Sequence, residues 1–330
     1  SYTNYDRNIA AETVRWLSEE APKHTDRPWA LFVSFVCPHF PLIAPDKFYD
    51  LYADADLPAP ALYSPDERPA HPYYKAMREC MAYDKHFDEE ARRKAVIAYH
   101  GMCTFLDSNI GTIVGELQRS GQLEDTRIVY TSDHGDALGK RGLWGKSTMF
   151  EESASVPLLI AGPDVPVGKR ITAPVSLVDS FPTILEAVGA QADITDQALP
   201  GQSLLDLAQN EPDHRTVFSE YHAVGATAAT FMIRRDQFKL VYFVGMEPEL
   251  FDLENDPDET CNLANDPAFA EVLASLHAEL RAICDPDDID QRARADQRAR
   301  IAEHGGRDVI LQRGDFGYSP APGQDPEFAS

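Results

Sequence analysis

Thr131-Ser132-Asp133-His134-Gly135-Asp136 closes an apolar run, and Lys146 follows twelve residues after His134. The run itself, Arg127-Ile128-Val129-Tyr130, is rich in β-branched and aromatic side chains and reads as a short buried strand. In an open α/β sheet, ligands bind beyond the carboxyl ends of the strands. Asp133 and His134 stand at such an end, where a carboxylate oxygen and an imidazole nitrogen can share one divalent cation. Gly135, Gly139, Gly142 and Gly145 keep the next segment in loop and let its backbone approach a ligand closely. Lys146 can then fold back as a point charge onto an anion held by the metal. The pattern points to a metal-dependent hydrolase of an oxyanion ester.

Around this stretch the chain alternates. Residues 7–20 place Ile9, Val14, Trp16 and Leu17 among Ala and charged residues, an amphipathic helix. Trp29 to Val36 is almost continuously apolar, as expected of a strand buried on both faces of a parallel sheet. Residues 38–88 hold many prolines and no sustained period, a long surface excursion of the kind that often carries function. Residues 89–119 read as a long helix with Val96, Tyr99, Met102, Cys103, Leu106, Ile110, Ile113, Val114 and Leu117 on its apolar stripe, ended by Gly121. Pro157 to Ala161 is a further short strand, and 181–189 a helix with Pro182 near its start and Gly189 past its end. This is the βα alternation of a doubly wound α/β sheet, assigned to residues 1–205. Beyond it, 216–221, 227–234 and 238–244 read as short strands of a small antiparallel sheet (206–285). Helices are expected around 267–283 and 286–302. A C-terminal helix and extended tail fill 286–330, irregular from Gly305 on.

Ser132-Asp133-His134-Gly135-Asp136-Ala137-Leu138-Gly139, then Gly142-Leu143-Trp144-Gly145-Lys146, then Val156-Pro157-Leu158-Leu159-Ile160, resembles the type I sulfatases of the alkaline phosphatase superfamily. Cys37-Pro38-His39-Phe40-Pro41 resembles that family's Pro-His-x-Pro loop, and Glu249-Leu250-Phe251-Asp252-Leu253-Glu254-Asn255-Asp256-Pro257 its C-terminal signature. The matches run in family order to about residue 265. The resemblance implies an alkaline-phosphatase-like fold and hydrolysis of a sulfate monoester by a formylglycine hydrate activated by a divalent cation. It also implies Asp133 and His134 as metal ligands, Lys146 as holder of the sulfate oxygens, and His39 as the group that assists departure of the alcohol. Family members place acidic metal ligands and a Cys/Ser-x-Pro-x-Arg nucleophile motif upstream of the Pro-His-x-Pro loop. None of the five cysteines here carries Pro two residues on together with Arg four residues on, and no Ser or Thr does. The chain therefore reads as the C-terminal portion of such an enzyme, inactive alone, its nucleophile segment expected upstream or on another chain.

Each site residue has a plainer alternative. Asp133-His134 would also suit a helix cap or turn. Lys146 could be an ordinary surface lysine, and His39 could satisfy loop carbonyls. The company of the other motifs favours ligation and catalysis, an imidazole being able to protonate a departing alkoxide near neutral pH. Glu220 and His222, after the Val217 strand, are structural or substrate-binding; facing the pocket, Glu220 would favour a cationic substrate group. Asp136 is read as structuring its loop and Asp179 as capping the following helix. Where many sulfatases place Asn or Gln after the strand-end Asp, this chain has His134, as do choline-sulfatase-like and phosphonate-monoester-hydrolase-like members. Calcium is the expected cation, and the nitrogen ligand makes manganese the alternative. Phosphonate monoesters and phosphodiesters, with a similar tetrahedral anion, are the rival substrates. A non-catalytic remnant that only binds is the rival of another class.

Composition sets outer limits. With 330 residues and 43% apolar content the chain can bury one large core and a smaller one. The net charge of −24 argues against nucleic acid and anionic membranes as partners, so an anionic ester needs a locally positive pocket. No apolar run approaches the roughly 20 residues of a membrane helix. Five sparsely spaced cysteines argue against a disulfide scaffold and for a reducing, cytoplasmic setting, with the periplasm as the alternative. A homo-oligomer is expected. The near-repeat Gln291-Arg292-Ala293-Arg294 and Gln297-Arg298-Ala299-Arg300 reads as a solvated helix face.

Overall fold

Helix α1 (Tyr2–Glu19) buries Asp6, Ala10, Thr13 and Leu17, a stripe at helical spacing that contains a carboxylate. In the computed structural model, which describes residues 2–24 and 26–313, Asp6 accepts hydrogen bonds from the amides of Val36 and Cys37, both at 2.9 Å. The helix thus docks on the segment that leads into His39. The stripe differs from the expected Ile9/Val14 face because Asp6 pairs with backbone donors and is drawn inward.

The excursion after residue 38 carries two short helices, α2 (Asp46–Tyr49) and α3 (Pro72–Cys80). Helix α4 (Glu89–Arg119) matches its expected bounds. Asp88 caps its first turn by accepting from Ala91 N at 2.8 Å, and Gly121 takes the left-handed conformation past its end (φ 73°). α1 packs on α4, with Leu17, Leu117, Trp29 and Ile128 sharing one core cluster. Cys37 and Phe48 pack with Met102, Phe105 and Leu106 in another.

Strands β1 (Ile128–Thr131) and β2 (Leu158–Ala161) pair antiparallel, Tyr130 opposite Leu159. The short helix α5 (Glu151–Ala154) lies between them in sequence. The α/β alternation read from the sequence is present, with two corrections: the described pair runs antiparallel where a largely parallel sheet is expected, and 29–36 is not a paired strand. That segment runs extended outside any ladder of the described residues, and Phe32 is 90% exposed. An apolar run confers strand propensity; only a hydrogen-bonding partner makes a strand. Beyond β2, α6 (Ser180–Ala187) and α7 (Leu204–Gln209) pack on each other. Asp179, expected to cap α6, does not do so with its side chain; its carboxylate accepts from Ser176 N (2.7 Å), Gln202 N (2.9 Å) and Arg215 (2.6 Å), tying the turn ahead of α6 to neighbouring segments.

The second sheet is complete in itself. Strands β3 (Thr216–Tyr221), β4 (Thr230–Arg235), β5 (Phe238–Phe243) and β6 (Glu249–Asp252) form a four-stranded antiparallel meander in sequence order. Side chains alternate by face, as the two-residue period requires. Phe231, Ile233, Leu240 and Leu250 meet Leu276 and Leu280 of α8 (Ala270–Ile283). Met232, Val241, Phe243 and Phe251 meet Tyr73, Tyr74 and Met77 of α3, with Phe150 and Leu143. β6 was read only as a family signature; it forms the edge of this sheet. Helix α9 (Pro286–Glu303) follows, and Arg307–Arg313 is helical (α10), not extended as expected from Gly305 on. The tail expected from 314 to 330 lies outside the described residues.

Candidate active site

The residues singled out at the end of β1 meet the Cys37–Pro41 loop. His39 Nδ1 lies 2.8 Å from the Phe40 carbonyl, which can only accept, so Nδ1 carries the proton and Nε2 presents its lone pair. Lys146 Nζ lies 2.6 Å from that Nε2 and donates to it. The His39 and His134 rings stand 6.3 Å apart between centroids. His39, His134 and Lys146 therefore share one patch, and Asp133 joins it through His134.

His134 repeats the same logic. Its Nδ1 donates to Gly135 O at 2.9 Å, leaving the Nε2 lone pair 3.2 Å from Asp133 Oδ2. Two acceptors at that separation need a positive centre between or beside them, a second proton or a shared cation. Asp133 Oδ1 meanwhile accepts from the His134 amide (3.0 Å) and from Ser132 Oγ (3.3 Å), which fixes the carboxylate's orientation. The donor set fits a divalent cation with one nitrogen and one oxygen ligand. Among the described residues no group of three or more His, Cys, Asp or Glu side chains is placed to hold a metal.

Local sequence explains how Lys146 reaches His39. Asp136 Oδ1 accepts from Leu138 N (2.8 Å) and Gly145 N (3.1 Å), and Ala137 N donates to Gly145 O at 2.6 Å. These bonds close 136–145 into a loop that delivers Lys146 next to the strand end, so Asp136 does structure its loop. The glycines serve the protein's own backbone. A Cβ on Gly135 would stand 2.1 Å from Glu152 O, and Gly142 (φ 68°) leaves room for the Arg68 guanidinium. The excursion supports the loop from outside. Trp144 stacks on Phe87 (4.1 Å between centroids) and donates Nε1–H to Asp84 at 3.2 Å. Burial works to raise the Asp84 carboxyl, but donors from Tyr63, Trp144 and Arg68 hold it below its ordinary value.

Glu220 and His222 lie at the end of β3 and just beyond it. Their facing atoms are 3.3 Å apart but not aligned for a hydrogen bond. His222 sets its ring edge-on to Phe231, and Gln297 of α9 donates to its carbonyl at 3.0 Å. No described contact joins either residue to His39, His134 or Lys146. Cys37, next to the His39 loop, is no nucleophile here: burial, then the nearby Asp6 carboxylate, pushes its thiol up to about 12. All five cysteines are free.

Sequence reasoning missed Asp6 and Asp84, which hold the two segments that carry His39 and Lys146. Asp6 was detectable as a carboxylate on the 6-10-13-17 helical stripe; Asp84 had no local signal.

Known proteins share this arrangement of sequence and fold. The Sulfatase family model matches residues 1–190, and the model of the N-sulphoglucosamine sulphohydrolase C-terminal region matches 139–285. The chain belongs to the sulfatase family. It is 37% identical over 273 residues to a choline-sulfatase of Rhizobium meliloti (strain 1021), covering 82% of this chain and 53% of that protein. It is 35% identical over 229 residues to arylsulfatase K of Danio rerio, covering 67% of this chain and 42% of that one. The chain thus spans about half the length of the curated relatives it matches. Among solved structures, the phosphonate monoester hydrolase from Silicibacter pomeroyi superimposes with a TM-score of 0.71 at 31% identity, over 83% of this chain and 59% of that one. The phosphonate monoester hydrolase of Agrobacterium radiobacter gives 0.67 at 28% identity, over 83% and 59%. The α/β alkaline-phosphatase-like fold expected from the sequence is the fold of these structures.

Proposed function

We propose that this chain supplies the leaving-group side and part of the metal shell of a sulfuric ester hydrolase. The observation that carries the reading is the 2.6 Å contact of Lys146 Nζ with His39 Nε2, one ring away from His134. The Lys146 ammonium is the positive charge the acidic chain places beside the tetrahedral anion, where it holds an oxygen of the sulfate. In this arrangement the proton available to the departing alkoxide sits on Lys146. His39 accepts from it at Nε2 and is held by Phe40 O, so the pair passes one proton toward the alcohol. Asp133 and His134 hold a divalent cation, calcium first and manganese as the alternative; when bound, it polarises the ester's oxyanion. Formylglycine, the family's nucleophile, belongs on polypeptide upstream of Ser1 in the relatives' order, which must also complete the metal shell.

The open side of the first sheet supports that last point. Phe32, Val129 and Leu159 are exposed apolar side chains on two extended segments, 29–36 outside any ladder and β1–β2 with its outer edges free among the described residues. A further strand from the relatives' other half would cover them. On this reading residues 1–205 carry the reacting groups, 206–285 the supporting sheet and 286–330 an appendage. Free thiols support a reducing compartment. Among the described residues no helix is long and apolar enough to cross a membrane.

The test joins the chain to an upstream half bearing the nucleophile motif and measures hydrolysis of an aryl sulfate beside phenyl phosphonate. Lys146→Ala should lower kcat/KM for the better substrate by roughly 10²–10³-fold, and unchanged kinetics would overturn the assignment. The phosphonate reading has its own support in the two structural neighbours, and a higher kcat/KM on phenyl phosphonate would install it.

A further inference from the structure

Behind Lys146 lies a set of buried charges that the chemistry above does not use. The side chains of Arg141, Lys239 and Glu259 are wholly withdrawn from solvent. Lys239, on β5, donates to the Met149 carbonyl (2.7 Å) and to Glu151 Oε1 (2.8 Å), and its ammonium lies 2.5 Å from Glu259 Oε1. Glu259 Oε2 in turn accepts from the Glu151 amide at 2.7 Å. Arg141 pairs with the Glu152 carboxylate and the Asp258 carbonyl and lays its guanidinium 3.8 Å from the centre of the Phe150 ring. Lys140 adds an ion pair to Asp258 at 2.8 Å.

Most of these bonds end on residues 140–152, on both sides of Lys146: Lys239 of the second sheet and Asp258 and Glu259 of the turn after it reach Lys140, Arg141, Met149 and Glu151, while Lys239 also pairs with Glu259 and Arg141 with Glu152. The backbone between is held against its preference. Ser147, next to Lys146, has φ 90°, and Leu138, Arg141 and Glu259 are also left-handed. Such conformations persist in residues with a Cβ only where the surroundings over-determine them. Stability alone is a poor reason for the charges, since apolar side chains of similar volume commonly stabilise a buried site at least as well. What the ion pairs add is direction: they fix where the main chain of Met149 and Glu151 runs.

We propose that Lys239 and Glu259 are positioning residues for Lys146, through which the second sheet sets the Lys146–His39 contact. The inference deepens the reading of Lys146 as holder of the sulfate oxygen and rests on it. Glu259, just past the C-terminal signature, thereby acquires a task at the reacting end. Glu249 faces the same cluster and accepts from the Tyr74 hydroxyl at 2.7 Å.

The experiment uses the chain itself with histidine-selective isotope labelling, His39 being assigned by substitution. Lys146→Ala defines the ring resonances of His39 without its partner. Lys239→Met, and separately the isosteric Glu259→Gln in case the first variant does not fold, should move the His39 resonances toward the Lys146→Ala positions. His277, on the far side of the second sheet on α8, should stay at its wild-type position. A folded variant of either kind with His39 at its wild-type resonances overturns the proposal. Titration with inorganic sulfate on the same samples should show binding weakened about tenfold by Glu259→Gln, the scale of one lost charged hydrogen bond. If sulfate leaves His39 of the wild-type chain unmoved, the functional reading of Lys146 fails, while the resonance comparison still decides the positioning claim.

Discussion

The two sheets of this molecule differ in how far they are finished. In the second, Phe231, Ile233, Leu240, Phe243 and Leu250 are all fully buried, between α8 on one face and α3 with Phe150 on the other. In the first, Leu159 is 61% exposed, and in the same α/β region the apolar 29–36 run lies outside any ladder of the described residues. The proposed reacting groups nonetheless sit at the end of the unfinished sheet, and on the positioning proposal the finished one reaches them through Lys239 and Glu259. The contrast then gives support to one half and chemistry to the other.

The largest expected effect is in the finished sheet. Phe231→Ala should cost about 3–5 kcal/mol in urea unfolding, the range for emptying a buried aromatic site. A cost below about 1 kcal/mol would mean that the second sheet is not the stable half.

Next comes pH. Burial, reinforced by the charge of Glu259 and opposed by the Tyr74 hydrogen bond, pushes the Glu249 carboxyl up to about 7. A carboxyl raised in the folded state stabilises the fold while protonated. Its contribution is complete below the ordinary value of 4.5 and is lost as pH rises through about 7. Relative to Glu249→Gln, which cannot ionise, the wild-type chain should lose up to about 3 kcal/mol between those limits. Parallel stability curves for the two proteins between pH 4.5 and 8 would refute the assignment.

Asp6→Ala removes the acceptor of two backbone amides ahead of His39 and should cost about 1–3 kcal/mol. It should also disturb the His39 resonances more than those of His277, and equal disturbance would mean that Asp6 serves only global stability. The smallest effect belongs to the open face. Leu159→Ser should change the stability of the present chain by less than about 0.5 kcal/mol. With an upstream half attached, the same substitution should cost about 2 kcal/mol, the value of a newly buried leucine. Equal costs in the two contexts would break the contrast between the sheets.

Much of this was legible in the chain. The long helix α4 followed from its apolar stripe and Gly121, and helices were expected around 267–283 and 286–302, where α8 and α9 lie. Asp133, His134, Lys146 and His39 were marked by motif, and the last three do meet. The stripe of α1, the clamps and the ladder were less legible. Charged residues are ordinarily exposed, so nothing near Asp84, Lys239 or Glu259 announced that burial and a distant partner awaited them. β6 is short and begins and ends in carboxylates, which hid it as a strand.

By itself, then, the sequence determined the long helices α4, α8 and α9 and which side chains are candidates for metal-binding and acid–base chemistry, because periodicity and side-chain chemistry act within a few residues. Only the tertiary structure decided which apolar run becomes a paired strand, which tautomer His39 presents to Lys146, and which buried charges hold that lysine in place. Those outcomes depend on partners far apart along the chain, 108 residues in the case of the Glu151 amide and Glu259, and burial gives such contacts their strength.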